Sequence, residues 1–525
     1  MFLPGFFSFI IFPLSFTDKA LDPVLHLRFV LWSGLCISGA IRLFGNHRIQ
    51  KDLASFVCHT LFGIGAGFCL VACISLLGAE NFGEGLFTFL HISVAGTWLI
   101  ITTAFFIESP QSLPVFIRWA TVGAMLLTLL GLLGICWQNG SFFFSGIMIN
   151  KNLYAAVLFL FTPFVIHTLG SSRKLWSWPS ALLLLILWSL IFLSGARSVV
   201  TATILSLIPV ILLIPRSQFN LSLQQRKNVC LACFLLAFIF LLVVWGGGRF
   251  YSPEKKESVR HRLALWYHTL QIITDYPALG VGPGHWRLAR SQYTEPQRIE
   301  TLSGDIIEIH AQRSHNIFLE TAAETGVMGS IIYFSFFICL YVYAWKILKK
   351  SKNKTEISLV LAMIYGISGF MIFGMFSYPS ERPLHTFLFM TTAGILVSIY
   401  HRYYPPRFRP ICTKILISIL IMSALFCGVI SGLRLYSEIH LKKALNAKDQ
   451  KAWHQVITHI DNAVHPVYSI DPFGVPIFWY RGIAYFHLDN LPKAEEDFRR
   501  ALEYHPFHTH SINSLLFLEN AEKKN

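Results

Sequence analysis

Runs of about twenty apolar residues recur along almost the whole chain, and they constrain its fold more than any single motif does. A helix needs about 20 such residues to cross a bilayer. Thirteen segments qualify, near 3–16, 28–44, 54–78, 86–107, 115–137, 152–169, 177–193, 198–215, 229–247, 327–347, 358–378, 384–400 and 412–433. The first is short and broken by proline. Composition agrees: 54% of the 525 residues are hydrophobic and 14% are charged, against about 25% charged in soluble domains. The expected fold is all-α, a polytopic membrane helix bundle of about 12–13 spans with a large loop and a small C-terminal helical-repeat domain.

The net charge of +15 belongs to loops. "NHRIQKD", "SSRKLW", "PRSQFNLSLQQRKN", "KILKKSKNK" and "HRYYPPRFRP" are basic and alternate with poorer loops such as "GAENFGEG" and "SYPSERPL". Basic loops stay on the cytoplasmic side. With the N-terminus inside, every strongly basic loop falls on that side. Residues 194–198, the loop 248–326 and the tail after 433 then lie outside, in the periplasm of a two-membrane bacterium. This pattern gives a multi-pass protein of the inner membrane whose surroundings are membrane lipids, with no nucleic-acid partner. The ten cysteines lie in or beside apolar segments, so no disulfide framework is implied in the loop or tail. The expected division is 1–247 (first bundle), 248–326 (large loop), 327–433 (last membrane helices) and 436–525 (repeat tail).

The tail changes character. In "FWYRGIAYFHLDNLPKAEEDFRRALEYHP", Gly482, Tyr485, Ala494, Phe498, Ala501 and Pro506 sit at the spacings of a tetratricopeptide repeat. Residues 436–465 resemble a degenerate partner repeat. Such a tail either binds a protein partner through its concave face or caps the last span.

The chemistry lies in the outer segments. Arg197 stands in "LSGARSVV", Arg260 and Arg262 in "SVRHRLALW", and Arg313 and His315 in "HAQRSHNIFLE". The loop as a whole holds nine Lys/Arg against nine Asp/Glu, so any anion site must come from local placement of arginines. Guanidinium offers a planar fork of donors that matches phosphate and stays charged at any relevant pH. A lone arginine at an interface also snorkels to lipid headgroups. Histidine is the usual general base near neutral pH, although many single histidines are structural. No HExxH, DxD or paired Cys/His spacing is present, so neither metal nor cofactor is expected. The glycine-rich "GVGPGHW" lacks a βαβ context for nucleotide binding and reads as a turn that lets backbone pack closely.

The ordered set "RLALW…DYPALGVGPGHW…SHNIFLETAAETGVMG" resembles the large periplasmic loop of the O-antigen ligase and polymerase family. The matching positions are Arg197 in a short loop between spans, Arg262 with Trp266, Gly280/Gly282/Gly284, and His315-Asn316 followed by Glu324 and Gly326. Asn152 in "NKNLYAA" resembles the family's Asn-containing start of a middle span. The resemblance implies transfer of a glycan from undecaprenyl diphosphate to an acceptor, without metal. It makes Arg197 and Arg262 diphosphate ligands, Arg260 a second, and His315 the base, with Arg313, Asn316, Glu324 and Trp266 in support. The acceptor it implies is lipid A-core (a ligase of lipopolysaccharide biosynthesis), a growing glycan (a polymerase) or a protein (an O-oligosaccharyltransferase). A transporter would place its polar residues at the bilayer midplane, and a scaffold would not need the arginine–histidine set.

Overall fold

A computed structural model describes residues 7–45, 55–137, 150–171, 174–215, 253–293, 297–300, 306–309, 311–406 and 413–522, with a few single positions between these runs. In chain order the helices are α1 (Leu25–Phe44), α2 (Thr60–Leu77), α3 (Phe82–Glu108), α4 (Leu113–Trp137), α5 (Lys151–Ser171), α6 (Lys174–Leu193), α7 (Arg197–Leu205), α8 (Leu207–Leu213) and α9 (Pro253–Asp275). After a β-hairpin come α10 (Ile317–Lys350), α11 (Lys354–Gly374), α12 (Pro383–Tyr403), α13 (Thr413–Asp449), α14 (Trp453–Ala463), α15 (Ile477–His487), α16 (Leu491–Tyr504) and α17 (Thr509–Glu522). The hairpin pairs β1 (Gln297–Glu300) with β2 (Ile306–Ile309) antiparallel within the large loop.

Ten of the described helices are long and apolar enough to cross a membrane, and the fold is the expected all-α polytopic bundle. Three expected spans are not among them. Within 3–16, the described residues form only a π-helical turn at Phe7–Ile11 followed by Phe12–Leu14. Eight helical residues reach about 12 Å, well short of a bilayer. Phe9 instead wedges into the bundle against Phe116, Phe161 and Phe387. The segment 198–215 is two short helices divided at Ser206. Pro209 lacks the N–H that would bond Leu205, and its ring crowds that carbonyl. The segment 229–247 lies for most of its length outside the described residues.

Helix α12 is buried on nearly every face, the position of a helix apolar all round, and it packs on α3, α5, α10 and α11. Helix α13 runs unbroken for 37 residues, about 55 Å, against a hydrocarbon core of about 30 Å. Its far half packs on α14 and so joins the bundle to the tail as one rod. In the tail Gly482 lets α15 approach α16 closely, since a Cβ there would stand 2.6 Å from the Phe498 ring.

One break matters most. Gly326 interrupts α10 with φ 69° and ψ −178°, a conformation open essentially to glycine alone. The freed backbone groups pair with the glycine-rich turn: Val281 N donates to Ala323 O (2.9 Å), Gly282 N to Glu324 O (3.0 Å) and Val327 N to Pro277 O (2.9 Å). Ser75 Oγ on α2 lies 2.6 Å from Leu279 O and 2.8 Å from Glu324 O, its one proton shared between the two carbonyls. A Cβ at Gly326 would lie 2.1 Å from Ala278 O, and one at Gly280 would lie 2.4 Å from Ala323 O. Gly326→Ala should therefore destabilise the protein by about 3 kcal/mol or more, since strain at such a φ costs about 1–3 kcal/mol before any clash. Unfolding in detergent measures this, and an unchanged midpoint would refute the close approach.

Candidate functional site

One end of the bundle gathers the turn before α3, the start of α7, helix α9, the glycine turn, the start of α10, the turn before α12 and the middle of α13. Arg262 and Trp266 lie four residues apart and so share one face of α9. Trp266 Nε1 donates to Ser314 O (3.1 Å), which fixes the backbone one residue before His315. Burial first, and then the charge of Arg197, lowers the Arg262 pKa, so α7 and α9 bring two guanidiniums within electrostatic range of each other. His315 joins them. Burial, then the charges of Arg262 and His261, pull its imidazole from 6.5 down to about 4, with Glu381 opposing. His315 takes a left-handed backbone, φ 57°, uncommon for a residue with a side chain. Arg260, two positions from Arg262 and so on the far side of α9, is exposed and stands apart from the group.

The residues around His315 form a rigid cap. Asn316 is the N-cap of α10, its side chain accepting from Phe318 N and Leu319 N. Glu320 is buried and accepts from Ser314 N (2.7 Å) and Ser314 Oγ (2.8 Å). Arg313 is held between Glu320 and Glu381, 3.1 Å from each, and lies over the Tyr378 ring at 4.7 Å. Burial opposes the charge on Arg313, but the two carboxylates raise its pKa. Arg313 is therefore a structural clamp rather than an anion ligand. Burial alone would raise the Glu381 pKa, yet the guanidiniums of Arg313 and Arg382 carry it down to about 2. Glu324 accepts from Trp286 N (3.4 Å) and so ties the cap to the glycine turn.

Several residues here carried no signal in the sequence. Glu84, at the start of α3, is chelated by Arg434 of α13 (2.9 Å and 3.1 Å) and Arg287 of the loop (2.9 Å). Arg382 pairs with Asp22 at 2.5 Å. These partners are hundreds of positions apart, and Glu84 and Arg382 lie in loops that read as poor in charge. The tail joins the same network. Arg434 donates to Val467 O (2.6 Å), Arg287 to Asp471 O (3.1 Å) and Asn81 Nδ2 to Ser469 Oγ (2.9 Å). His285 donates from Nδ1 to Pro283 O (2.9 Å) and accepts at Nε2 from Asn81 N (2.9 Å). Both ring nitrogens serve the neutral tautomer, and burial lowers its pKa. A cavity of about 220 Å³ runs from these charges down among α2, α3, α10 and α12. Among the described residues no three His, Cys, Asp or Glu side chains come together as a metal site.

Residues 181–334 match the family model described as O-antigen ligase. The match covers well under half of the chain but spans Arg197, Arg260, Arg262, Trp266, Arg313, His315, Asn316 and Glu324. A comparison with curated proteins returns no match.

Glu84→Gln should leave the buried Arg434 and the partly buried Arg287 short of a counter-charge. Breaking a buried ion pair by removing one partner costs about 3–5 kcal/mol, so the thermal midpoint should fall sharply, with Glu84→Asp less severe. An unchanged midpoint would show that the α3–α13–loop junction does not depend on this ion cluster.

Proposed function

We propose that the protein transfers a glycan from undecaprenyl diphosphate to an acceptor hydroxyl at the outer face of the bacterial inner membrane. Ligation to lipid A-core in lipopolysaccharide biosynthesis is the reading we favour among the family's reactions. What carries the proposal is the gathering of Arg197, Arg262 and His315 at one end of the bundle, where burial and the Arg262 charge favour the neutral imidazole. Guanidiniums near one another suit an anion of matching geometry, and a diphosphate is one. The 181–334 family match supports the reaction class. Basic loops at the opposite end support the orientation, by the cytoplasmic preference of Lys and Arg.

In this reaction the acceptor oxygen attacks the anomeric carbon, and the bond from that carbon to the diphosphate oxygen breaks. The electron pair leaves on the diphosphate, and the hydroxyl proton passes to a ring nitrogen of His315. Arg197 and Arg262 stabilise the departing charge, the part that electrostatic preorganisation plays in many enzymes. Trp266 and the Asn316 cap position the histidine through the backbone. Arg313 keeps Glu381 engaged.

His315→Ala should cut turnover about 100- to 10,000-fold, the contribution of a positioned base, while donor binding persists. Arg262→Ala should weaken donor binding as well as turnover, and Arg262→Lys should restore only part, since an ammonium cannot replace a bidentate fork. Chelators should have no effect. The assay is transfer by the purified protein from a lipid-linked donor, with binding measured separately. Near-normal turnover in His315→Ala would move the base to Glu324 or Glu320.

A further inference from the structure

The cavity among α2, α3, α10 and α12 has two unlike ends. Its upper end is ringed by Arg287, Arg313, Arg382 and Arg434, and by Asp22, Glu84, Glu324, Glu381 and Glu438. Four guanidiniums therefore face five carboxylates among the described lining residues. All four guanidiniums are already engaged, Arg313 by Glu320 and Glu381, Arg382 by Asp22, and Arg287 and Arg434 by Glu84. A diphosphate would have to break these pairs to bind, so this end is not an anion site. It is nevertheless unsatisfied. Arg434 Nε and Tyr468 OH have no hydrogen-bond partner among the described residues, and Glu438 Oε1 has none, with His26 Nε2 at 3.8 Å, although the three residues are 4%, 0% and 1% exposed. Buried polar atoms normally find partners. These offer both donors and acceptors, beside the rings of Phe87 and Tyr468 that flank Arg434 at 4.0 Å and 5.0 Å. Neutral hydroxyls, which donate and accept at once, satisfy such a set, and an anion, which only accepts, does not.

The lower end is apolar. It is lined by Ile64 and Phe68 of α2, Leu99 of α3, Phe336 of α10 and Phe389 of α12. From Glu84 to Leu99 along α3 is about 22 Å at 1.5 Å per residue, the length of one extended lipid chain within a hydrocarbon core of about 30 Å. Gly65 on α2 and Gly96 on α3 both line it, and a Cβ on either would meet nothing within 4 Å. These glycines do not serve helix contact. They border open space.

We propose that this cavity binds an uncharged, hydroxyl-bearing headgroup carried on an apolar chain, with the chain between α2 and α3 and the head under Arg434, Glu438 and Tyr468. The tail contributes to the site, because Tyr468 and Pro472 of the segment between α14 and α15 line its upper end. Gln312, Arg313 and Glu381 line it too, so the head reaches the residues that border His315. Resting on the transfer reaction proposed above but not on its lipid A-core reading, the bound molecule is a neutral lipid-carried acceptor, and neither Arg197 nor Arg262 lines its cavity. The binding claim alone needs no transfer.

The test is equilibrium binding to the full chain in nanodiscs, with dodecyl maltoside, dodecyl phosphate, maltose and geranylgeranyl diphosphate as probes. Dodecyl maltoside should bind saturably, and at least about tenfold tighter than dodecyl phosphate or maltose, a difference of about 1.4 kcal/mol. Gly65→Leu and Gly96→Leu, which fill the lower end, should each weaken it by about tenfold or more and leave geranylgeranyl diphosphate binding unchanged. Equal binding of the maltoside and the phosphate would overturn the proposal, as would unchanged maltoside binding in both variants. Loss of geranylgeranyl diphosphate binding in variants with a normal thermal midpoint would assign the cavity to the donor chain instead. The comparison of headgroups on the unsubstituted protein stands even where a leucine variant misfolds. Because no turnover is read, a failed transfer reaction and a failed binding site give different results.

Discussion

A membrane helix that breaks near the surface must find new partners for the backbone groups it frees, because an unpaired one in an apolar setting costs several kcal/mol. In α10 the break at Gly326 is met by the turn 277–282, whose groups pair with Ala323, Glu324 and Val327. That pairing fixes how the loop sits on the bundle. It also holds residues 317–325 as a separate helical segment, capped by Asn316 and anchored through Glu320 to Ser314. His315 sits at the head of this segment, its backbone held left-handed and its neighbour's carbonyl pinned by Trp266.

Arginines at this end of the protein divide into two kinds, and the division follows from their partners. Arg287, Arg313, Arg382 and Arg434 are engaged by buried carboxylates. Removing either partner of such a pair is costly, so these residues join loop, bundle and tail into one body. Arg262 instead feels the like charge of Arg197, which a bound anion offsets. The same residue type thus serves architecture in one place and ligand binding, as proposed, in another.

What could be read from the sequence was what is local. Apolar runs of about twenty residues identified ten helices, because each satisfies its backbone within itself. The R-x3-W spacing was informative because four residues bring Arg262 and Trp266 onto one face of α9. "GVGPGHW" declared a close backbone approach, and Gly280 against Ala323 is that approach. The failures were also physical. Pro209 divided an apolar run whose hydropathy looked continuous. Arg313 was expected only to support the site, and its ion pair with Glu381, 68 positions away, left no local sign. Glu84 and Arg434 are 350 positions apart, and no periodicity records such a pairing. The tail read either as a partner-binding repeat or as a cap on the last span, and no local signal named Asn81, Arg287 and Arg434 as the residues that hold its segment 464–476 against the bundle.

The central claim is that His315 is a base kept neutral by burial and by the charge of Arg262 until a diphosphate arrives. Its depressed pKa makes the neutral form available above about pH 4 in the free protein, and that form is lost as pH falls through this value. Bound diphosphate offsets the charge of Arg262 and should raise the pKa, since each unit corresponds to about 1.4 kcal/mol. The most direct measurement is the pH dependence of transfer, followed separately as kcat/KM for the donor and as kcat. The account predicts an acid limb near pH 4 in kcat/KM and a limb at distinctly higher pH in kcat. A limb in kcat/KM near pH 6.5, or two limbs that coincide, would contradict it.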